Sequence, residues 1–245
     1  MNSFLAALQF LTICPFPSRC SYGEKELGRS AIFFPVVGLI VGAISTLIDW
    51  GFRWLWPTLP ASVLTVLWMV AVSGGFHMDG LADTADGFLS SRPRERILEI
   101  MKDSRTGPMG VIAVVSILLL KTAVLSSVPN SVRWGVVFLM PFAGRCALVM
   151  GMALLSYARL EGGLVSAFGK PRWAWTAPVL LIAVSWLTLR NLGLVSAGFS
   201  VLSVLVFSLW CRRKIGGFTG DTLGAGCEIA ELIPAIVAAS WRWPQ

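Results

Sequence analysis

Charged and titratable side chains are scarce in this sequence. Only 13% of its 245 residues are Asp, Glu, Lys or Arg, and the chain has one histidine and two tyrosines. A soluble domain is about one quarter charged, so the composition excludes an ordinary water-soluble enzyme or binding module. Because 56% of the residues are hydrophobic, the sequence predicts an integral membrane protein in contact with a lipid bilayer.

Paired cysteines and long polar segments are lacking as well. The five cysteines are odd in number and contain no Cys-x-x-Cys pair, which argues against a disulfide framework or a zinc site. Residues 1–17 lack a basic n-region, so we expect an interfacial segment rather than a removable signal peptide. No polar stretch is long enough for a second domain, so residues 1–245 are predicted to form a single integral membrane domain.

Long hydrophobic runs, in contrast, are abundant. A helix needs about 20 apolar residues to cross a bilayer core. Seven stretches approach that length: 31–50, 59–76, 109–128, 134–155, 174–192, 194–211 and 228–243. The last three are the least well separated, because the turn near residue 190 is short and Pro234 interrupts the final stretch. The predicted fold class is all-α, a polytopic transmembrane helical bundle of about seven spans, within a range of six to eight.

The basic residues indicate how the bundle is oriented. The net charge of +7 would suit nucleic acid in a soluble protein, but here we predict no nucleic-acid partner, because basic residues anchor cytoplasmic loops. With the N-terminus inside, the outside turns hold only Arg53, Arg133, Arg190 and Arg242. This predicts a multi-pass protein of the cell inner membrane with a cytoplasmic N-terminus. The polar connections 77–108, 156–173 and 212–227 then converge on the cytoplasmic face, where we place the active site.

The segment 77–87 carries three carboxylates, Asp79, Asp83 and Asp86, which we call the acidic row. Their spacing puts them on one edge of a helix at about 100° per residue, whereas a strand would send Asp86 to the opposite face. Such an edge is self-repulsive unless a cation sits on it, so the spacing indicates a Mg²⁺ site. The alternative is a solvated acidic face or a helix cap, with Asp79 as the N-cap residue.

Two other polar segments are candidate anion-binding loops. The turn 102–107 combines mixed charge with a glycine just before an apolar stretch, which suggests a loop shaped for a ligand. The segment 212–226 has three cations followed by five glycines, whose backbone N–H groups can approach an anion closely. A flexible linker would have the same glycine-rich composition.

Several ionisable residues lie within or beside the apolar stretches, where an unpaired charge is costly and is usually paired or functional. Asp221 precedes the last stretch, which Glu228 and Glu231 open. Arg145 is a candidate partner for a phosphate or for the acidic row, whereas Lys121 is interpreted as a structural residue that snorkels to an interface. His77 is either a structural residue or a base or phosphate contact. This set of groups suits transfer of a phosphate-containing group with metal ions.

Three blocks of the sequence resemble the signature blocks of the cobalamin synthase family, the adenosylcobinamide-GDP ribazoletransferases. They are GGFHMDGLADTADGF at 74–88, LEIMKDSRTGPMG at 98–110 and GGFTGDTLGA at 216–225, followed by the two glutamates. The resemblance implies a polytopic inner-membrane enzyme of late cobalamin synthesis. Such an enzyme joins adenosylcobinamide-GDP to α-ribazole, or to its 5′-phosphate, and releases GMP in a Mg²⁺-dependent reaction.

Transferred to this chain, that reaction suggests a role for each candidate residue. The acidic row would hold Mg²⁺ against the diphosphate, and Asp86 or His77 would help to deprotonate the attacking hydroxyl. The cations expected to neutralise the diphosphate are Lys102, Arg105, Arg145 and Lys170, and the further metal or hydroxyl contacts are Asp103 and Asp221. Self-association, or association with other corrin-assembly enzymes, is left open by the sequence.

Two alternatives come from other classes of protein. The CDP-alcohol phosphotransferases of lipid synthesis also use spaced aspartates in a membrane bundle, but Asp83 and Thr84 stand where their motif has Ala and Arg. A secondary transporter should show ionisable or broken-helix features near mid-membrane in several spans. The sequence places nearly all charges at the predicted cytoplasmic ends, which favours an enzyme.

Overall fold

The computed structural model of the protein describes residues 2–14, 24–159, 168–169 and 173–241. Within these ranges the chain is helical, and its one β-type contact is an isolated bridge between Tyr157 and Phe218. The helices are α1 (Asn2–Leu11), α2 (Glu24–Ser30), α3 (Phe34–Leu55), α4 (Thr58–Val72), α5 (Phe76–Phe88), α6 (Arg94–Ile100), α7 (Pro108–Ser126), α8 (Asn130–Leu154), α9 (Thr176–Ile215) and α10 (Gly220–Ser240). The all-α prediction is confirmed, and helices suit a bilayer because they satisfy their own backbone hydrogen bonds.

The structure gives fewer candidate membrane spans than the seven that the sequence predicts. Five described helices are long and apolar enough to cross a membrane, and α4 with α5 forms a sixth candidate, bent by 89°. The chain is therefore a multi-pass membrane protein. The difference from seven arises at α9, because this helix takes up the two predicted stretches 174–192 and 194–211. Seven spans thus stays a prediction that depends on how α9 crosses the bilayer.

The chain reverses direction inside α9. Leu189 (φ −130°, ψ 16°) and Arg190 (φ 51°, ψ −126°) have non-helical backbone angles. A Cβ atom placed on Gly193 would lie 1.8 Å from the backbone oxygen of Ser185, whereas eight residues of a continuous helix rise about 12 Å. Two arms that pack against each other therefore make up α9, with the turn near residue 190 where the sequence suggested it.

The core of the described bundle is built around α8. Nearly all of the α8 side chains from Val136 to Met152 are buried, and the helix packs against α3, α9 and α10. The outer helix α7 keeps most of its apolar surface exposed, as expected for a helix that contacts lipid tails. The polar groups that lie inside this core therefore need partners within the protein.

One such group is Arg133, which the sequence placed in an outside turn. Its side chain is instead fully buried at the start of α8, where Nε and Nη2 donate to the Asp49 carboxylate at 3.0 and 2.6 Å. Ser62 accepts from Nη2, and Thr65 donates to Asp49. Arg133 lies inside the bundle rather than in an outside turn because Asp49 neutralises its guanidinium there.

The buried pair predicts a selective loss of stability. Substitution of Arg133→Gln leaves Asp49 as an uncompensated buried charge, which we expect to cost about 3–5 kcal/mol. The exposed hydrogen bond from Arg53 to Asn130 provides a control, since its loss in Arg53→Gln should cost less than about 1 kcal/mol. Thermal midpoints of the purified variants in detergent measure both effects, and equal midpoints would contradict the structural role of Arg133.

Candidate active site

The acidic row lies on α5, as its spacing predicts. Two glycines with positive φ, Gly74 (63°) and Gly75 (74°), produce the sharp bend between α4 and α5. The first helical residue of α5 is Phe76, and the N-cap position is taken by Gly75 rather than by Asp79. All three carboxylates of the row therefore belong to one continuous helix, and Asp79 is the most exposed of them.

A fourth carboxylate, Asp221, faces the row from α10. Partial burial is the main effect that destabilises the charge of Asp83; the charges of Asp79, Asp221 and Asp86 destabilise it further, and that of Arg159 stabilises it. Close helix packing produces this arrangement, because a Cβ atom on Gly80 would lie 2.7 Å from the backbone oxygen of Asp221. The α5 backbone thus touches the first turn of α10, and Asp221 is brought next to the row.

The first turn of α10 is fixed by a capping box. The Thr222 N–H donates to the Thr219 hydroxyl oxygen at 3.2 Å, and the Thr219 N–H donates to the Thr222 hydroxyl oxygen at 2.8 Å. These bonds satisfy N–H groups that a helix start would otherwise leave without partners. Asp221 is therefore presented from a well-defined helix start rather than from a flexible glycine-rich linker.

Arg159 is a site residue that the sequence analysis did not single out. Its Nη2 donates to the Asp221 carboxylate at 2.8 Å. A short parallel pairing holds it there, in which the Ala158 N–H donates to the Phe218 carbonyl at 2.8 Å and the Phe218 N–H donates to the Ser156 carbonyl at 2.9 Å. No periodicity or motif connects residue 159 to residue 221, so only the folded chain reveals the contact.

Asp86 serves a different purpose from the other carboxylates. Its two oxygens accept hydrogen bonds from the N–H groups of Gly107 and Gly110, at 2.6 and 2.8 Å. A carboxylate at this place caps the start of α7 and favours its positive dipole end. The metal-binding and base roles predicted for Asp86 stay predictions, and either role would compete with this cap.

His77 points away from the acidic row. Its side chain is 1% exposed, and its Nδ1 lies 3.6 Å from the Cys227 sulfur inside the bundle. The ring Nε2 has no hydrogen-bond partner in the described part of the chain. Positions 77 and 79 differ by about 200° around a helix, which explains why adjacency in sequence does not bring the imidazole to the carboxylates.

Arg145 and Lys121 belong to a buried charge cluster rather than to the surface site. Lys121 donates to Glu228 at 2.5 Å and to Glu231 at 2.8 Å, and Arg145 donates to the second oxygen of Glu231. The amine of Lys121 is 1% exposed, so the predicted snorkelling to an interface is wrong. The guanidinium of Arg145 is likewise directed at Glu231, and it does not contact the acidic row.

The turn between α6 and α7 is polar and exposed. Arg105 donates to Asp103 through its side chain at 2.7 Å and through its backbone N–H at 3.1 Å, and these bonds hold the pKa of Asp103 at about 2. Lys102 is exposed beside them. Lys170, the remaining predicted substrate contact, lies outside the described residues.

Two clefts lie beside this site, one lined by Asp79 and the other by Arg159. An open cleft of about 720 Å³ lies between the α4–α5 bend and α7, and a charged cleft of about 380 Å³ lies between α6 and Arg159. The first, mainly apolar cleft is lined by Val70, Gly74, Gly75, Phe76, Met78, Asp79, Ala82, Thr106, Val111, Val114 and Val115. The second is lined by Arg94, Glu95, Leu98, Glu99, Lys102, Ala158 and Arg159.

The carboxylate oxygens of this site are ligands of the kind that bind hard divalent cations. Within the described ranges, no three His, Cys, Asp or Glu side chains are arranged closely enough to hold a metal ion as they stand. Asp79, Asp83 and Asp221 nevertheless carry a surplus of negative charge that Arg159 only partly offsets. Oxygen ligands with such a surplus are those that Mg²⁺ prefers.

The fold and the site together define a class of protein. Apolar helices form a multi-pass bundle, and three separate polar segments meet at one place, as the sequence predicted. Carboxylates, an arginine and two clefts at that place are the features of a membrane-embedded enzyme that acts on a phosphate-containing substrate.

Comparison with known proteins identifies the family within this class. The chain matches the family model described as cobalamin-5-phosphate synthase over residues 3–239. Similar proteins named adenosylcobinamide-GDP ribazoletransferase come from Herpetosiphon aurantiacus (39% identity, 95% of this chain and 94% of the relative), Roseiflexus sp. strain RS-1 (41%, 93% and 85%) and Desulforamulus reducens (37%, 94% and 93%). No solved structure matches significantly. The chain belongs to the cobalamin-5-phosphate synthase family and is an enzyme of late cobalamin synthesis.

The contact between α5 and α10 predicts an unusual response to a small substitution. In Gly80→Ala the added methyl group meets the Asp221 backbone, so we expect the helices to separate at a cost of about 1–3 kcal/mol. Gly51→Ala in α3 is the control, because its Cβ meets nothing within 4 Å and alanine favours a helix by about 1 kcal/mol. In detergent, the thermal midpoint should fall in Gly80→Ala and rise in Gly51→Ala. A rise in both variants would contradict the close packing of α5 against α10.

Proposed function

We propose that the protein transfers the adenosylcobinamide-phosphate part of adenosylcobinamide-GDP to α-ribazole or its 5′-phosphate. The products are adenosylcobalamin or its phosphate, and GMP. The observation that carries the proposal is the meeting of Asp79 and Asp83 with Asp221 and Arg159 in a chain of this family. A diphosphate needs both kinds of group, since a metal ion held by carboxylates and a guanidinium can neutralise its oxygens together.

We assign the Mg²⁺-binding role to Asp83 and Asp221, with Asp79 and Asp86 adding negative charge around them. When bound, Mg²⁺ would supply charge neutralisation between the diphosphate oxygens. The contact of α5 with α10 would keep the two carboxylates close to each other. Arg159, which donates to Asp221, would then also donate a hydrogen bond to the phosphate of the leaving GMP.

The proposed reaction is a displacement at one phosphorus atom. The ribazole hydroxyl oxygen forms a bond to the phosphorus attached to cobinamide, and the bond from that phosphorus to the bridging oxygen of GMP breaks. We assign the hydroxyl proton to Asp79, the exposed carboxylate that lines the apolar cleft. Asp86 is occupied with the α7 N–H groups and His77 is buried, so both are placed less well for this step.

The apolar cleft is the proposed site for the acceptor. α-Ribazole joins an apolar bicyclic base to a ribose, and the cleft joins valine and phenylalanine side chains to the carboxylate of Asp79. A base that lies against Val111 and Val115 would leave the ribose near the acidic row. Apolar walls with a few convergent polar groups are typical of small-molecule sites.

The proposal includes an orientation in the cell. Basic residues cluster on the side of the bundle that carries the 77–108 and 212–227 segments, and the positive-inside rule assigns this side to the cytoplasm. The enzyme would then lie in the inner membrane with its site facing the cytoplasmic nucleotide pool. Self-association and contacts with other corrin-assembly enzymes stay open expectations.

The buried charges bear on the alternative of a secondary transporter. Charged groups are buried within α3, α7, α8 and α10, so the expectation that nearly all charges lie at the cytoplasmic ends is wrong. These groups nevertheless form closed ion pairs rather than a continuous path. Release of GMP by purified protein given adenosylcobinamide-GDP, α-ribazole and Mg²⁺ distinguishes the proposed transferase from a transporter and from a lipid-synthesising enzyme.

Removal of Asp83 tests the carboxylate role. We expect Asp83→Ala to lower the rate of GMP release by at least about a hundredfold, because one preorganised charge at the reacting group is lost. The variant should remain in the membrane fraction, since the apolar helices that span the membrane are unchanged. Glu26→Gln on α2, which packs on α1, is the control. Near-normal turnover of Asp83→Ala would exclude the metal-binding role.

Metal removal is an independent test of the same site. Chelation with EDTA should abolish GMP release, and added Mg²⁺ should restore it, because the carboxylates alone repel a diphosphate. Ca²⁺ should restore less activity, since it takes more ligands at longer distances. Full activity in excess EDTA would refute the Mg²⁺ dependence while leaving the transfer reaction itself intact.

A further inference from the structure

The charged cleft has a wall made from one face of α6 and the turn that follows it. Glu95, Leu98 and Lys102 lie three or four residues apart, so they project from the same side of the helix. Ala158 and Arg159 form the opposite wall. The cleft therefore combines two apolar side chains, two carboxylates and three cations: Leu98 and Ala158, Glu95 and Glu99, and Arg94, Lys102 and Arg159.

Hydrogen bonds join the described walls of this cleft. Arg94 donates to the Ile215 carbonyl at 2.8 Å and to the Ala158 carbonyl at 2.9 Å, so α6 is tied to both segments that border the site. A second face of α6 and its C-cap is buried through Ile97 and Met101, which are 1% and 2% exposed. A preformed cleft loses little conformational freedom when a ligand binds.

Arg159 connects the charged cleft to the catalytic carboxylates. It lines the cleft, and the same guanidinium donates to Asp221. A ligand in the cleft that carries a phosphate would therefore reach the acidic row past Arg159. Arginine suits this position because its planar group can bind a carboxylate and a phosphate at the same time.

The polar groups of the cleft fit guanine better than adenine. Guanine presents two adjacent donors, N1–H and the N2 amino group, which a carboxylate can accept together, and its O6 and N7 accept from Lys or Arg. Adenine presents an unprotonated N1 at the same place, which repels a carboxylate. Glu99 already accepts from Arg96 at 2.6 Å, which makes Glu95 the better candidate to bind the base.

We propose that the charged cleft binds the guanosine half of the substrate, with Glu95 accepting from the guanine N1–H and N2 amino group and Arg159 contacting the adjacent phosphate. The inference rests on the proposed function, since it places the leaving GMP. The leaving nucleotide and the acceptor then occupy different clefts, and the reacting phosphorus lies between them at the acidic row. An in-line displacement requires such opposite placement of the entering and leaving oxygens.

The test is nucleotide selectivity of the full-length protein in detergent. Equilibrium dialysis with GDP, IDP and ADP in the presence of MgCl₂ gives three dissociation constants. The wild type should bind GDP more tightly than IDP, which lacks the N2 amino group, and more tightly than ADP by about tenfold. Glu95→Gln should reduce the preference for GDP over ADP to about twofold, because a side-chain amide cannot accept both donors. Glu26→Gln should retain the wild-type ratio.

The outcomes separate this inference from the proposed function. An unchanged preference for GDP in Glu95→Gln, or equal binding of GDP and ADP by the wild type, overturns the guanine site. GMP release from adenosylcobinamide-GDP by the same wild-type preparation would show in either case that the transfer reaction stands. Absence of both GMP release and nucleotide binding in the wild type would overturn the proposed function and the guanine site together.

Discussion

The close contact between α5 and α10 is the constraint on which the site depends. Lipid supplies no hydrophobic force that presses two helices together, so membrane helices approach through small residues that let their backbones touch. Gly80 has this role, because the Asp221 backbone occupies the space of a side chain there. The contact joins a carboxylate from the end of the chain to a helix from its first half, and no surface loop could hold the two so firmly.

The protein uses two kinds of charge cluster for different purposes. Lys121 and Arg145 balance Glu228 and Glu231 inside the bundle, so this cluster is neutral, closed to solvent and able to tie α10 to α7 and α8. Asp79, Asp83 and Asp221 are partly open and carry more negative than positive charge. Buried charges that balance each other hold the helices in a fixed arrangement. Exposed carboxylates in excess over the cations can instead bind a metal ion, which in turn binds an anionic substrate.

The sequence predicts the parts of the site that depend on local periodicity. Helical spacing places Asp79 and Asp83 on one edge, and charge distribution brings the polar connections together. Contacts across the fold are beyond such patterns: Arg159 reaches Asp221 through a two-residue pairing, and Asp86 caps a helix that starts 22 residues later. His77 illustrates the opposite error, because adjacency along a helix sends neighbouring side chains to different faces.

The two clefts differ in polarity, and this difference gives a physical reason for a membrane-embedded enzyme. The cleft at Asp79 is walled by valines of a helix whose outer surface suits lipid, whereas the cleft at Arg159 is rimmed by charged side chains. An apolar acceptor and a charged nucleotide need opposite surroundings, and a soluble enzyme would have to build both within one core. A membrane protein already has both environments, because its apolar helices contact lipid while its polar segments contact water, and Asp79 on α5 lies in the wall of the apolar cleft.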